Sequence, residues 1–247
     1  MRLIIHSNDT LNISKEQLAL WSDRTGMAVE IIHNGRNTIW KVPYGAIAVK
    51  SFSDSLKNRI IYIFRKSKAE KSYTNALALL SRGIDTPAPY GYIEKRGTFN
   101  FLLASEYICK YEQRIPLKDA IMRYGRECLS AFAGFAARLH QNGIRHDDLN
   151  NTNVRVAVDA DRNFIFSLID LNRMKIYPPG QPVPEKECFA NLCRFCSFDS
   201  EYIFFLKKYL EARDMPPAQL SSAIKAKKRH DRKVDTIKCF KRLFKKK

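Results

Sequence analysis

The spacing of apolar residues changes partway along the chain, and the change divides it into two parts. From about residue 27 to residue 104, short strand-like apolar runs are separated by turn residues. Beyond roughly Ser105, apolar residues recur with the period of an α-helix. This order predicts an α+β fold with two lobes, a strand-rich first lobe and a mainly helical second lobe, separated by a cleft.

The first lobe is expected to be a five-stranded antiparallel sheet with one inserted helix. Ser14 is a candidate N-cap for a short helix that precedes the sheet. Gly83 is expected to end the inserted helix, because glycine is common just past a helix C-terminus. The predicted strands are 27–33, 38–42, 46–52, 90–94 and 99–104, and the predicted helix is 66–82.

The second lobe is expected to contain several helices and one small hairpin. Its predicted helices are 116–124, 126–142 and several after Pro184, and its predicted hairpin strands are 154–158 and 164–171. The expected organisation is an N-terminal extension (1–25), a first lobe (26–105), a second lobe (106–222) and a basic tail (223–247).

Length and composition narrow the class of protein. A chain of 247 residues with 45% hydrophobic residues is long enough to bury a core, which excludes a disordered chain, a collagen-like repeat or a disulfide-stapled miniprotein. No apolar run approaches the roughly 18 residues of a membrane-spanning helix. Polar residues at His6, Asn8 and Asp9 interrupt the start, so we expect no secretory leader. The sequence predicts a cytoplasmic protein with reduced thiols.

The formal net charge of +18 is unevenly distributed. Residues 223–247 contain 12 Lys or Arg and 2 Asp, so this tail carries +10 and the other 222 residues carry +8. A moderately basic body with a strongly basic tail predicts an anionic partner, which can be a membrane surface, nucleic acid or a phosphorylated substrate.

Two basic segments also carry apolar side chains. One is the tail, where four apolar residues share a helical face, as in a helix that lies flat on anionic lipid. The other spans residues 57–71. Each can be a lipid-binding surface or a solvated basic face. The apolar residues are Val234, Ile237, Phe240 and Phe244 in the tail and Ile60, Ile61, Ile63 and Phe64 in the second segment.

A polar loop after the second-lobe helices carries the clearest chemical signal. His146, Asp148 and Asn153 form the pattern H-x-D-x-x-x-x-N, and Asp170 follows 17 residues after Asn153, at the end of the next predicted strand. This order is typical of the protein-kinase-like phosphotransferases. An ordinary polar loop, whose Asn and Asp side chains satisfy turns, is the alternative.

Each residue type in this pattern has a chemical reason. Mg²⁺ prefers hard oxygen ligands, which an amide at Asn153 and a carboxylate at Asp170 can supply. The carboxylate of Asp148 can orient and deprotonate an acceptor hydroxyl. His146 is expected to pack under the loop and hold its backbone.

A kinase site also requires residues that bind the phosphates of ATP. Lys50 lies on the third predicted strand and points away from Val49, and Glu70 on the following helix is expected to pair with it. The turn with Gly35 and Arg36 is a candidate phosphate loop, although it has a single glycine, and an ordinary hairpin turn explains it equally well.

The cysteines do not form a recognisable zinc site. Cys188, Cys193 and Cys196 lie close together, but no second C-x-x-C or H-x-x-x-H supplies further ligands. We interpret them as buried thiols on a helix.

The loop from His146 to Asn153, followed by Asp170-Leu171-Asn172, resembles the lipopolysaccharide kinase family, and within it the kinases of Kdo (3-deoxy-D-manno-octulosonic acid). Residues 67–70 and 83–89 are also similar to that family. The resemblance covers roughly residues 30–175 and leaves the C-terminal third unmatched.

The resemblance implies an ATP- and Mg²⁺-dependent kinase. Its acceptor would be a sugar hydroxyl of the lipopolysaccharide inner core, on Kdo or heptose of a lipid A precursor, at the inner face of the cytoplasmic membrane. It implies Asp148 as the base and Asn150 where protein kinases carry a lysine that steadies the γ-phosphate. It further implies the metal ligands Asn153 and Asp170, and the phosphate-binding pair Lys50 and Glu70.

Other functions remain open. Asp170-Leu171-Asn172 replaces the D-F-G of protein kinases and no A-P-E segment follows, which argues against a protein substrate. A kinase of another small-molecule alcohol, of aminoglycoside or choline type, is less compatible with so basic a chain. A non-catalytic nucleotide- or nucleic-acid-binding protein would explain the tail. However, the ordered set of Lys50, Asp148, Asn153 and Asp170 favours an active enzyme and argues against nucleic acid as a partner.

Overall fold

The structure of the protein is a computed structural model that describes residues 1–43, 45–195 and 199–244, without the side chains of residues 239 and 241–244. The chain forms two compact units. The first consists of Met1–Gln113 with Leu168–Asn172, and the second of Arg114–Ser167 with Arg173–Lys247. Within the described ranges, no helix is both long enough and apolar enough to span a bilayer.

The first unit is built on one antiparallel sheet, and its elements are β1 (Arg2–Ser7), α1 (Lys15–Asp23), β2 (Glu30–Asn34), β3 (Asn37–Val42), β4 (Ile47–Phe52), α2 (Leu56–Ile61), α3 (Lys68–Leu80), β5 (Pro89–Arg96) and β6 (Leu102–Lys110). The strand order is β1-β5-β6-β4-β3-β2. Five strands were predicted and the sheet has six, because Arg2–Ser7, which we assigned to an extension, pairs along β5 from Arg96 to Gly91.

Helices cover both faces of this sheet. On one face Leu18 of α1 packs into a cluster with Val49 and Ile93. On the other, Tyr73 of α3 contacts the ring of Tyr92. Tyr92 and Ile93 are neighbours in β5, and successive strand residues point to opposite faces, so α1 and α3 lie on opposite sides.

Local signals in the sequence explain where these helices begin and end. Ser14 caps α1 in a capping box with Gln17, as the sequence predicted. Ser67 caps α3, and Gly83 follows that helix with a φ of +68°. Phe99 was predicted to begin a strand, but it lies in a short 3-10 turn with a φ of +53°, and β6 runs on to Lys110, past the predicted lobe boundary at residue 105.

The second unit is mainly helical, and its elements are β7 (Ile115–Pro116), α4 (Leu117–Gln141), β8 (Ile144–His146), β9 (Val154–Val158), β10 (Phe164–Leu168), β11 (Met174–Ile176), α5 (Glu185–Leu192), α6 (Ser200–Ala212) and α7 (Leu220–Phe244). The long helix α4 is interrupted at Gly125, where φ is +58° and ψ is −137°, so the chain forms the two helical segments that were predicted. Two small sheets have the orders β10-β9-β7 and β11-β8.

The basic tail is helical and its first turns are part of the second unit. Ala223 and Lys227 of α7 are buried, and the Lys227 ammonium donates to the carbonyl of Cys193 at 2.9 Å. Further along, Ile237 and Phe240 are exposed. Phe244, the last apolar residue of the predicted face, has a side chain outside the described residues. The start of the predicted tail therefore contributes buried side chains to the second unit, and exposed apolar side chains lie further along.

Candidate functional site

Lys50 is placed by the alternation of β4. Val49 points into the core beneath α1, so Lys50 points to the opposite face of the sheet. Its ammonium lies 2.5 Å from Oδ1 of Asp170 and 5.2 Å from the ring centroid of Phe52. Two residues that are 120 positions apart in the chain, and that were both predicted to serve the same chemistry, are therefore in direct contact.

The segment that carries Asp170 is held by hydrogen bonds within the first unit. Thr86 Oγ1 donates to the carbonyl of Leu168 at 2.8 Å, and Asn75 Nδ2, on α3, donates to the carbonyl of Leu171 at 2.7 Å. Neither residue was predicted to support the site, because nothing in the local pattern distinguishes them from other polar residues.

Asp170 has an unusual backbone conformation. Its φ of +59° lies in the left-handed region, which Asp and Asn tolerate better than other side-chain-bearing residues. Asn172 Nδ2 donates to Asp170 Oδ1 at 2.7 Å, so this oxygen accepts from both Asn172 and Lys50. These contacts fix the direction of the carboxylate.

The predicted pairing of Glu70 with Lys50 is not found. Glu70 lies in the first turn of α3, and its carboxylate reaches back along the chain to Lys66 at 3.4 Å, while Asp170 takes the position beside Lys50. Glu70 also lies near Tyr92, whose pKa is raised to about 12 mainly by burial and further by this carboxylate.

The candidate phosphate loop has the contacts of a simple hairpin turn. It joins β2 to β3, and both Gly35 and Arg36 are exposed. The N–H of Gly35 donates to the carbonyl of Asn37 at 3.2 Å, so it is used within the turn. These contacts favour the hairpin-turn interpretation over a phosphate-binding loop.

In the second unit, the loop after β8 is organised by its own polar side chains. His146 is fully buried, and its Nδ1 accepts from the N–H of Asp148 at 3.2 Å. Asn153 Nδ2 donates to the carbonyl of Asp148 at 3.0 Å. The backbone of Asp148 is thus held from both sides.

Asn150 supports the same loop. Its Oδ1 accepts from the N–H groups of Thr152 and Asn153, each at 2.9 Å, and its Nδ2 lies 3.4 Å from Asp148 Oδ1. The amide of Asn150 therefore both closes the turn and contacts the carboxylate of Asp148.

Asp148 has one anchored oxygen and one open oxygen. Its Oδ1 contacts Asn150 and also Arg194, whose Nη1 lies 3.1 Å away. Among the described residues, none donates to Oδ2. Arg194 was not predicted, since it belongs to the cysteine-containing stretch that we interpreted as structural. A carboxylate held in this way can accept a proton from a hydroxyl at Oδ2.

The residues predicted to bind metal have suitable donor atoms. Because Asn153 donates through Nδ2, its Oδ1 faces away from that bond and accepts no hydrogen bond from the described part of the chain. Asp170 provides a carboxylate. Amide and carboxylate oxygens are ligands that Mg²⁺ accepts, so each half of the predicted pair fits the ion chemically.

A buried chain of hydrogen bonds lies behind the loop. His140 Nδ1 contacts the Tyr209 hydroxyl at 2.7 Å, and its Nε2 contacts Asn191 Oδ1 at 3.0 Å. Asn191 Nδ2 then donates to the carbonyl of His146 at 2.6 Å. Since Asn191 Oδ1 can only accept, His140 carries its proton on Nε2. This chain connects α4, α5 and α6 to the residue under Asp148.

His140 makes the stability of this unit depend on pH. Burial lowers the pKa of the imidazole from 6.5 to about 4. His140 therefore binds a proton near pH 6.5 in the unfolded chain, and only near pH 4 in the folded chain. The neutral ring contributes its full stabilisation above pH 6.5 and loses it as the pH falls toward 4, by about 3 kcal/mol.

We expect the free energy of unfolding to fall less steeply between pH 6.5 and pH 4 in His140→Gln than in the wild type. The variant will also be less stable at neutral pH, because the bond to Tyr209 is lost. Urea denaturation across this range measures both effects. Parallel pH profiles for the two proteins would contradict the assignment of His140 as the titrating group.

The cysteines of the second unit are consistent with a structural role. Cys188 and Cys193 are buried, and burial raises the pKa of the Cys193 thiol to about 11. Cys196 lies outside the described residues. No cluster of three or more His, Cys, Asp or Glu suited to a metal occurs in the described ranges.

Comparison with known proteins agrees with this chemistry. The model of the lipopolysaccharide kinase (Kdo/WaaP) family matches residues 56–181, about half of the chain. The chain is similar to the solved structure of WaaP in complex with acyl carrier protein, with a TM-score of 0.62 and 15% identity over 94% of this chain and 99% of that chain.

A second solved structure is a choline/ethanolamine kinase family protein from Mesorhizobium loti. Its TM-score is 0.53, with 10% identity over 86% of this chain and 79% of that chain. At such identities both likenesses establish the fold, and they confirm the predicted kinase-like fold. None of the curated proteins matches the chain.

Proposed function

This chain belongs to the lipopolysaccharide kinase (Kdo/WaaP) family, and from that membership we propose that it phosphorylates a Kdo or heptose hydroxyl of a lipid A precursor, using ATP. It is a phosphotransferase with a sugar hydroxyl as acceptor. The observation that carries the finer proposal is the carboxylate of Asp148, with Oδ1 held by Asn150 and Arg194 and Oδ2 open.

In the proposed reaction, Asp148 acts as the general base. Its Oδ2 accepts the proton of the acceptor hydroxyl while the hydroxyl oxygen attacks the γ-phosphorus of ATP. The bond between that phosphorus and the bridging oxygen of the β-phosphate breaks, and ADP leaves with the electron pair. The protein's contribution is alignment, since the backbone of Asp148 is fixed by His146 and Asn153.

Lys50 and Asp170 are proposed to serve the nucleotide. The ammonium of Lys50 would neutralise phosphate charge, and Asp170 and Asn153 would hold Mg²⁺. The ion, when bound, neutralises the charge of the phosphates. Glu70 is left out of this set, because its carboxylate pairs with Lys66.

The function is tested by supplying purified protein with ATP, Mg²⁺ and defined acceptors. We expect mass spectrometry to show the gain of one phosphate on a Kdo- or heptose-containing lipid A precursor and none on choline, an aminoglycoside or casein. Phosphate on one of these three instead would favour the corresponding alternative kinase. Turnover with none of the acceptors would contradict the proposal.

We also propose that the first unit contacts an anionic membrane surface. Two phenylalanines of the first unit are strongly exposed: Phe64 is 88% exposed and Phe99 93%. Arg96, itself buried, donates to the carbonyls of Tyr62 and Asn100 and so links the two segments that carry these phenylalanines. The exposed neighbours of Phe64 along 56–66 are Leu56, Lys57, Ile60, Ile61, Arg65 and Lys66. Apolar side chains among cations suit an anionic lipid surface.

Replacing Phe64 and Phe99 together with serine should weaken binding to anionic phospholipid vesicles by at least about tenfold, since each buried ring contributes about 1.5–3 kcal/mol. Vesicle co-sedimentation measures the effect. Met122→Ser, which removes an apolar side chain that is 84% exposed in the second unit, is the control and should change nothing. Equal binding by all three proteins would contradict this membrane contact.

The exposed part of α7 is proposed as a second lipid contact. Truncation after Arg232 removes the exposed Ile237 and Phe240 and the basic residues that follow Arg232, and it keeps Lys227 and its bond to Cys193. We expect weaker binding to anionic vesicles, with activity on a detergent-dispersed acceptor unchanged. Undiminished vesicle binding by the truncated chain would contradict a lipid contact through α7.

A further inference from the structure

Arg194 is the residue of the described chain that pairs with the carboxylate of Asp148. The two side chains meet at 3.1 Å, and the Arg194 side chain is 47% exposed. An exposed ion pair of this kind adds little to folding stability. Folding stability therefore does not explain why a guanidinium lies beside the carboxylate of the proposed base.

The backbone around Arg194 is firmly held. The carbonyl of the preceding residue, Cys193, accepts from the buried ammonium of Lys227. The following residue, Phe195, is buried, with its ring centroid 4.8 Å from those of Phe132 and Phe205. The chain is thus anchored on both sides of an arginine whose guanidinium projects to Asp148.

The guanidinium retains unused binding capacity. A guanidinium has five N–H donors, and among the described residues Arg194 directs one nitrogen to one acceptor, Asp148 Oδ1. Arginine binds carboxylates and phosphates in a two-pronged geometry that the remaining donors permit. A hydroxyl bound at Asp148 would bring its neighbouring groups within reach of these donors.

We propose that Arg194 is an acceptor-binding residue that recognises an oxyanion beside the hydroxyl to be phosphorylated, and so selects acidic acceptors. The oxyanion is either the carboxylate of a sugar acid or a phosphate already present on the acceptor. The inference rests on the proposed function of Asp148 and goes further, because it assigns the recognition of the acceptor's negative charge to one residue.

The test compares wild-type protein with Arg194→Gln on three acceptors. These are a Kdo-containing lipid A precursor, the same precursor with its sugar carboxylate methyl-esterified, and the same precursor without its phosphates. For the intact acceptor, we expect Arg194→Gln to raise KM by about 10- to 100-fold, the loss typical of a charged hydrogen bond, with KM for ATP unchanged.

The acceptor that lacks the recognised oxyanion should show the same KM with both proteins, which identifies the source as carboxylate or phosphate. Arg194→Lys should recover part of the loss, because it keeps the charge without the fork. Arg126→Gln is the matched control, since Arg126 is an exposed arginine of the same unit that pairs with Glu201.

The outcomes separate this inference from the proposed function. Wild-type turnover with an unchanged KM in Arg194→Gln overturns the inference and leaves the function intact. An equal rise in KM on all three acceptors, or a fall in kcat alone, also overturns it, because Arg194 would then act only on Asp148. Wild-type protein that is inactive on every sugar-lipid acceptor contradicts the function and this inference with it.

Discussion

Replacing Asp148 with asparagine is expected to lower kcat by about 10²- to 10⁴-fold, while the affinity for ATP stays within about twofold of the wild type. General-base catalysis by a positioned side chain contributes rate enhancements of this size. The base accepts the proton of the acceptor only during the chemical step. Removing the base should therefore lower kcat and leave nucleotide binding unchanged.

This substitution should leave the backbone of the loop in place. The contacts that place the loop involve the backbone of Asp148, through His146 and Asn153, and these remain in the variant. The new amide oxygen can still face Arg194. Single-turnover kinetics and nucleotide titration measure the two quantities separately. A comparable loss of ATP affinity would show that Asp148 serves the nucleotide and not the acceptor.

Replacing Asp170 with asparagine is expected to reduce activity to a similar degree, but with a different signature. We propose the carboxylate of Asp170, beside Lys50, as a ligand of the metal. Removing its charge should therefore raise the Mg²⁺ concentration required for half-maximal rate by at least about tenfold. Asparagine tolerates the left-handed backbone and can still accept from Lys50 and Asn172, so folding should be unaffected.

Glu70→Gln is the informative companion of that variant. Glu70 was predicted to hold Lys50, but the structure pairs it with Lys66 at the surface, so its neutralisation should change kcat by no more than about two- to threefold. Magnesium titrations of both variants make the comparison. A loss with Glu70→Gln as large as that with Asp170→Asn would restore Glu70 to the site.

The parts of the fold that local patterns determine were predicted well. The meander from β2 to β4, the helix capped by Ser67 and the break of α4 at Gly125 each depend on residues that are close in the chain. Turn residues, caps and glycines with positive φ act over a few positions, and a sequence displays them directly.

The sixth strand was missed because its partner lies far along the chain. Arg2–Ser7 pairs with residues about ninety positions away, and we assigned it to an N-terminal extension. One signal was present. Gly91 lies inside β5, and a Cβ atom there would come within 2.3 Å of the carbonyl oxygen of His6. A glycine within a strand often marks such a close backbone approach.

The motif predicted that Lys50 and Asp170 serve one site, and the structure brings them into contact, but the supporting contacts were not predicted. The motif selects Lys50, Asp148 and Asp170 because phosphoryl transfer constrains the types and the order of such residues. Arg194 and His140 act through contacts between distant segments, and their local sequence carries no sign of it. Residues that position others are therefore the ones that a single sequence fails to reveal.

The positive φ of Asp170 has a consequence for judging relatives of this protein. Because asparagine fits that conformation at least as well, we expect natural drift from aspartate to asparagine at this one position to leave a chain that is correctly folded. If Asp170 holds the metal as proposed, such a chain would lose most of its activity, and the side chain at the position equivalent to 170 would separate working enzymes from inactive descendants better than overall likeness does.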